Sequence, residues 1–424
     1  MIDIKLIRAE PEKFIQAAKD KRMEVDIPAL LSIDAKLLSA RKELQDIRTR
    51  QNAAGKDIAK LKGDAKQAAV AEMAKLKARA KELNDLIEQF EPKFNELMLL
   101  VAQPPDPEAP LGKDDTENVV LRAEGEIRKF GFEPKDHMQL GTALDIIDME
   151  RGVKLAGSRN YFLKGAGSLM HQAILRLALD QMAAKGYTLL TVPVLVNESV
   201  MCGTGYFPLG RDQAYLVERD GMSLVGTAEV PLTAYHTDEI LSEGDLPRKY
   251  VGLSTCFRRE AGAAGKDTYG LYRIHFFDKV EQVIFCRNDE QVSRQFHQEI
   301  LKNAEDVLRA LELPYRVVNV CTGDLGQGQV QKFDIETWMP SRNSYGETHS
   351  ASRFYEFQAR RLNIRYRDAA GALKFVHTLN NTVIASPRVL ISVLELCQNV
   401  DGSVTVPKAL RPYMYGIEKI EPKK

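Results

Sequence analysis

The chain has 424 residues, enough for two or three domains with a large core. Its 59 basic and 59 acidic side chains cancel, which excludes a uniformly cationic nucleic-acid coat but leaves local basic patches open. Five scattered cysteines without CxxC spacing and seven dispersed histidines without an HExxH pattern argue against a structural zinc site and fit a reduced, cytoplasmic protein.

The first segment, MIDIKLIRAEPEKF, is charged from residue 3 and has no signal-peptide core. No apolar run in the chain approaches the roughly 18 residues of a membrane span. Residues 1–102 are glycine-poor and rich in charged helix formers. Apolar or small residues recur at heptad spacing at Leu37, Ala40, Leu44, Ile47, Ala54, Ile58 and Leu61, with Gln51 the exception. A second series runs Ala69, Met73, Leu76, Ala80, Leu83, Ile87, Phe90, Phe94, Leu97 and Val101. This 4-3 spacing predicts a left-handed coiled coil, and LKGDAK with Gly63 and Asp64 suits a reversal between its strands. The expectation is an antiparallel hairpin of two helices, each about 30 residues and about 45 Å long, projecting as an arm. Residues 36–81 hold 13 Lys/Arg against 5 Asp/Glu, while 82–100 hold one lysine and five acids. A solvated helical face accounts for such a run. So does a phosphate-binding tip, since clustered cations release counterions from nucleic acid. With no aromatic residue between 30 and 89, backbone and shape recognition of a duplex suits the arm better than base stacking.

QPPDPEAPLG (103–112) opens a proline-rich linker, taken as 103–134. From 135 to 424 glycine, aromatics and β-branched runs increase. Strand-like YTLLTVPVLV and LKFVHTL alternate irregularly with helical HQAILRLALDQMAAKG, and no βαβ repeat with GxGxxG appears. The prediction is an α+β domain built on an antiparallel sheet flanked by helices.

Four segments of this second domain carry chemistry. GTAEVPLTAYHTDEI places Thr227 and Glu229 at a strand end before a helix opened by Pro231, where they suit either an ammonium group or a helix cap. In CFRREAGAAGKDTYGLYRIHFFDKVE, alternation predicts a hairpin with Cys256, Arg258 and Glu260 on one face, and Arg273, His275, Phe277, Lys279 and Glu281 on the facing strand. Two guanidiniums there suit a phosphate chain and Phe277 a flat base; cross-strand Arg–Glu pairing is the alternative. YGETHSAS offers Glu347 and Ser350 as oxygen ligands for magnesium. HTLNNTVIASPRVLISVLELCQ reads strand, turn, helix, with Ser386 as cap, Pro387 at the first helical position and Arg388 in the first turn. An arginine at a helix N-terminus is unfavourable unless an anion sits there, so Arg388 reads as a phosphate ligand. Leu390, Val393, Leu394 and Cys397 read as core.

These segments together, FRREAG…DTYGLYRIHFFDKVE, TAEVPL, ETHSAS…FQARRLNIRYR and LNNTVIASPR, resemble the class II aminoacyl-tRNA synthetases, and more narrowly a bacterial-type seryl-tRNA synthetase. HMQLGTALDIIDMERG, SRNYFLKG and DGSVTVPKALRPYM are similar to further segments of that family, so the likeness covers essentially the whole chain. It implies a class II sheet, a cytoplasmic homodimer whose interface includes the segment ending at Pro193, and an N-terminal tRNA-binding arm. The implied reaction forms seryl-adenylate from L-serine and ATP with Mg2+, then transfers the seryl group to tRNA(Ser), with tRNA(Sec) as the further acceptor to consider. By resemblance Arg258 holds the α-phosphate and the serine carboxylate, Glu260 reaches adenine, Phe277 stacks on it, Arg273 assists with phosphates and Arg388 clamps the γ-phosphate. Glu347 and Ser350 hold magnesium and ATP, with Arg259, Thr348 and His349 completing the ATP contacts. Thr227, Ala228, Glu229, Glu281, Asn380 and Thr382 line the serine pocket.

The chain departs from the family pattern at Phe276, where glutamine is usual, at His349, where serine is common, and in NNTVIASPR. Parity puts Phe276 on the far face, so it reads as a packing change. Two other functions compete: an amino acid:carrier-protein ligase, whose relatives lack the arm and use zinc, and an inactive paralogue kept as an RNA- or protein-binding scaffold. Retention of Arg258, Arg273 and Arg388 favours the enzyme.

Overall fold

The computed structural model describes residues 1–58, 62–262 and 268–423, with no description of the side chains of 55–58. It divides into two compact units: Ile2–Ala102, and Gln103–Lys424 together with Met1.

The first unit is all helical: α1 (Ile4–Ala9), α2 (Pro11–Asp20), α3 (Ile27–Ile58) and α4 (Asp64–Leu100). Asp3 caps α1 by accepting from the Lys5 N–H, and Arg8 pairs with the buried Asp34 of α3 at 2.6 Å. The two long helices bury the face that the heptads mark. Every position of both series with a described side chain is buried or half-buried, Gln51 included, and the residues beside them are mostly exposed. The side chain of Ile58, and Leu61 itself, lie outside the described residues. Ala40, Leu44, Ile47 and Leu83 form the seam's core, and Arg41–Glu91 (2.6 Å) and Arg79–Glu43 (2.8 Å) bridge the helices. Gly63 precedes α4 at φ +62, a conformation that costs glycine little.

The second unit is organised by an eight-stranded sheet. In chain order its strands are β1 (Val119–Glu124), β2 (Thr188–Thr191), β3 (Arg248–Phe257), β4 (Phe276–Cys286), β5 (Tyr315–Asn319), β6 (Gln331–Met339), β7 (Ser344–Arg353) and β8 (His377–Ser386). Their spatial order is β1-β5-β6-β7-β8-β4-β3-β2. Every neighbouring pair is antiparallel except the edge pair β2–β3, which is parallel. Helices α5 (Gly165–Ala184), α7 (Glu290–Ala310) and α8 (Arg388–Leu396) pack with Val280, Ile284, Val317, Ile335 and Val383 into the main core. A short helix, α6 (Glu229–Thr233), lies on the other side of the sheet, where Val283 and Phe285 of β4 join Ala228, Leu232 and Ile364 in a second core.

Residues 103–134 correct the linker reading. Asp106 is 3% exposed, accepts from Arg353 (2.6 Å), Arg294 (2.8 Å) and Tyr355 (2.9 Å), and its N–H donates to Val330 O. β1 pairs with β5 as the sheet's edge. Proline-rich composition gave stiffness here, and the buried carboxylate anchors the segment to the unit that follows. Among the described residues no helix is long and apolar enough to cross a membrane.

Candidate active site

β4 carries the site along one face. Its inner residues Val283 and Phe285 sit in the second core, and Glu281, Lys279 and Phe277, two residues apart on the same face, line an open cleft of about 200 Å3. Phe276 points away and stacks on Tyr161 with centroids 4.8 Å apart, within the opposite core. The pairing of β3 and β4 runs from Arg248↔Phe285 to Phe257↔Phe276. One further bond, from the Arg258 N–H to His275 O, extends it.

Here the structure corrects the simple alternation. β3 ends at Phe257, and Glu260 takes φ +50, so Arg258 and Glu260 reach the cleft from a turn and share no strand face. Arg273 and His275 likewise precede β4, and Arg273 closes on Glu260 at 2.8 Å. Arg258 stacks over the Phe277 ring at 5.2 Å and donates to Gly226 O. Residues 263–267, the tip of the AGAAGKDTYG loop, lie outside the described residues.

Two β-bulges complete the wall. Strict alternation would put Glu347 and Ser350, three residues apart, on opposite faces of β7. The register shifts between Ile335 and Glu336, where Thr348 is the extra residue, and both then face the cleft. In β8 the shift between Val280 and Glu281 makes Val383 the extra residue and brings Thr382 and Ala385 to the same side. β8 runs straight into α8. Ser386 contacts His171 at 2.8 Å instead of capping, and Arg388 is the first helical residue. Arg388 donates to Tyr272 O and Glu347 O and stacks on the Tyr272 ring at 4.5 Å. The Glu347 side chain is 52% exposed; the desolvation it meets against the cleft wall pushes its carboxyl up, but Arg388, Lys332, Arg258 and Arg273 outweigh that and hold it below the ordinary range. Three arginines spread over 130 positions of chain therefore line the same cleft as this carboxylate.

The cleft's other end is acidic and hydroxyl-bearing. Glu229, 5% exposed, accepts from Tyr206 Oη at 2.7 Å and Gln358 Nε2 at 2.8 Å. Burial, then the charge of Glu281, pushes its carboxyl up to about 7. Glu281 is fully buried, paired with Lys279, and accepts from Asn380 Nδ2 (3.0 Å) and Thr382 Oγ1 (3.3 Å). Since a carboxylate only accepts, it fixes the Asn380 amide, leaving Oδ1 buried without a hydrogen-bond partner among the described residues.

Of the expected site residues, the cleft gathers Arg258, Glu260, Arg273, Phe277, Glu229, Glu281, Glu347, Thr348, His349, Ser350, Asn380, Thr382 and Arg388. Three fall outside. Thr227 is buried with its hydroxyl accepting the Glu229 N–H, Ala228 is core, and the Arg259 N–H donates to Gln213 O. Glu229 opens α6 and Pro231 follows within it; Ala228 holds the N-cap position, and the Thr227 hydroxyl accepts from the first helical N–H. His349 lines the wall as a buried ring pushed down to about 3, hence neutral. Sequence reasoning missed Tyr206, Tyr272, Gln329 and Ser352. Alternation could have found Ser352, two residues from Ser350; Tyr206 carries no local pattern. Oxygen donors Glu347 and Ser350 fit a hard cation such as magnesium. Among the described residues no three His, Cys, Asp or Glu side chains are grouped to hold a metal, so such an ion would take most of its ligands from phosphate and water.

Residues 1–104 match the family described as seryl-tRNA synthetase N-terminal domain, and 215–396 match the tRNA synthetase class II core domain (G, H, P, S and T). The serine–tRNA ligase of Deinococcus radiodurans is 42% identical over 99% of this chain and 98% of its own length, and that of Rubrobacter xylanophilus is 42% identical over 100% and 99%. Among solved structures, the Pyrococcus horikoshii seryl-tRNA synthetase complexed with ATP superposes with a TM-score of 0.93 at 36% identity over the whole of both chains. The Naegleria fowleri cytoplasmic serine-tRNA ligase in complex with AMP gives 0.88 at 29% identity, over 100% of this chain and 99% of that one. Matched from end to end in both sequence and fold, the chain belongs to the seryl-tRNA synthetase family of class II aminoacyl-tRNA ligases.

Proposed function

We propose that the cleft activates L-serine with ATP and that the chain then esterifies the 3′ end of tRNA(Ser), tRNA(Sec) being a further substrate to test. The observation that carries this reading is that Arg258, Arg273 and Arg388 line one cleft together with Glu347, Glu229 and Glu281. A polyanion suits the three arginines and an ammonium suits Glu229 and Glu281.

The serine carboxylate attacks the α-phosphorus, the bond to the β-phosphate oxygen breaks, and pyrophosphate leaves. A terminal tRNA hydroxyl then attacks the acyl carbon, and AMP departs. No protein nucleophile is needed, so the residues bind, orient and neutralise. Arg258 bridges the serine carboxylate and the α-phosphate, Glu260 accepts from adenine, and Phe277 supplies the stacking surface. Arg273 and Arg388 hold the outer phosphates. Magnesium, when bound by Glu347 and Ser350, supplies charge neutralisation between phosphates. Glu229 and Glu281 receive the ammonium. Lys279 already neutralises Glu281, so one added cation balances the remaining acid. Asn380 Oδ1 is placed to accept the serine hydroxyl, a bond that alanine cannot make; the stranded acceptor is the basis for rejecting it, by up to about 10⁴.

The basic helical hairpin is the proposed tRNA contact, and a cytoplasmic homodimer the proposed assembly. Leu189, 47% exposed on the edge strand β2, supports a partner there. The test is ATP–pyrophosphate exchange with serine, threonine and alanine, followed by charging of total tRNA. Serine alone should support both. A chain that binds tRNA but shows no serine-dependent exchange is the scaffold instead.

A further inference from the structure

The ring of Tyr272 stands in the wall between the active-site cleft and a second cleft lined by His137, Ser341, Arg342 and Ser344. Two guanidiniums stack on it, Arg388 at 4.5 Å and Arg342, from the turn Pro340–Arg342, at 4.2 Å. The Tyr272 carbonyl also accepts from Arg388 Nε at 3.2 Å. The ring's seat depends on Gly346, the residue before Glu347: a Cβ there would lie 3.0 Å from Tyr272 Cε2 and 3.1 Å from its hydroxyl. Like charges gathered on one ring repel, and the ring's negative face offsets only part of that cost. An anion of high charge between them removes it.

Resting on the functional reading above, we propose that Tyr272 is a positioning residue that aims Arg388, and that its ring recruits Arg342 as a further cation for the outer phosphates and for the pyrophosphate they become. Arg342 lines the second cleft, which shares the Tyr272 ring with the active-site cleft.

The test is ATP–pyrophosphate exchange by the full-length protein carrying Tyr272→Leu, Tyr272→Phe or Arg342→Gln. Tyr272→Leu should raise KM for ATP and for pyrophosphate about five- to tenfold and leave KM for serine unchanged. Tyr272→Phe keeps the stacking face and should behave as the unsubstituted protein. Arg342→Gln, in a half-buried turn, should raise KM for pyrophosphate about threefold. Three results overturn the proposal alone: an equal rise in KM for serine, a phenylalanine variant as impaired as leucine, or an Arg342→Gln enzyme with unaltered pyrophosphate kinetics. Absence of serine-dependent exchange in the unsubstituted protein would overturn the functional reading and this proposal with it.

Discussion

Glu229 holds its proton to about pH 7 in the empty cleft because burial and the neighbouring Glu281 both oppose its ionisation. Its ordinary value is 4.5, so between that pH and 7 the folded chain keeps a proton that the unfolded chain has released. Stability therefore falls as pH rises across this window, by about 3 kcal/mol in all, and levels off above it. A serine ammonium reverses the balance by favouring the carboxylate. The expected outcome is a serine KM that falls as pH rises from 6 toward 8, approaching tenfold per unit at the acid end and flattening above 7. Glu229→Gln should abolish that slope and weaken serine binding at every pH. A wild-type KM independent of pH across the range would remove Glu229 from the ammonium site. Residue identity made this carboxylate a candidate in the sequence, either as an ammonium partner or as part of a helix cap. The environment that moves its titration was not legible: Tyr206, Gln358 and Glu281 come from three distant segments. Thr227 and Arg259 are not among the residues lining the cleft, although their sequence neighbours Glu229, Arg258 and Glu260 are.

At the scale of elements, periodic signals transferred well and interruptions did not. The 4-3 spacing located the buried seam of α3 and α4 because one helix face repeats faithfully over many turns. Alternation in β4 correctly separated Phe277, Lys279 and Glu281 from Phe276, but it failed where a strand stops or bulges. Nothing in YGETHSAS announces that Thr348 is an extra residue, yet this bulge allows Glu347 and Ser350 to face one cleft. The hairpin's proposed role has its own test. Arg48, Arg50, Lys66, Lys75 and Lys77 are exposed along α3 and α4. Replacing all five with glutamate should raise KM for tRNA at least tenfold and leave serine-dependent exchange untouched. The slope of log KM against log salt should shrink by about 0.7–0.9 for each phosphate contact removed. Unchanged charging at low salt would move the tRNA surface elsewhere.

For the molecule as a whole, the decisive element was the one composition described least well. A proline-rich segment reads as a spacer, yet Asp106 is a buried counterion for Arg353, itself wholly inaccessible and further bonded to Gln331 at 3.0 Å. Burial pushes the Asp106 carboxyl up, while the Glu108 N–H, Arg353, Tyr355 and Arg294 pull harder and keep it below 3.8. Its contribution is therefore complete above that pH and is lost as acid titrates the folded carboxylate. Asp106→Asn keeps the shape and leaves the Arg353 guanidinium uncompensated, a change expected to cost about 3–5 kcal/mol. Pairing it with Arg353→Met should recover much of the loss, because the buried charge goes as well. Trp338, the chain's single tryptophan, lies in β6, so its fluorescence during denaturant unfolding follows the sheet without the helical hairpin. If Asp106→Asn leaves that transition where it was, the segment is a tether after all, and the sheet stands without its anchor.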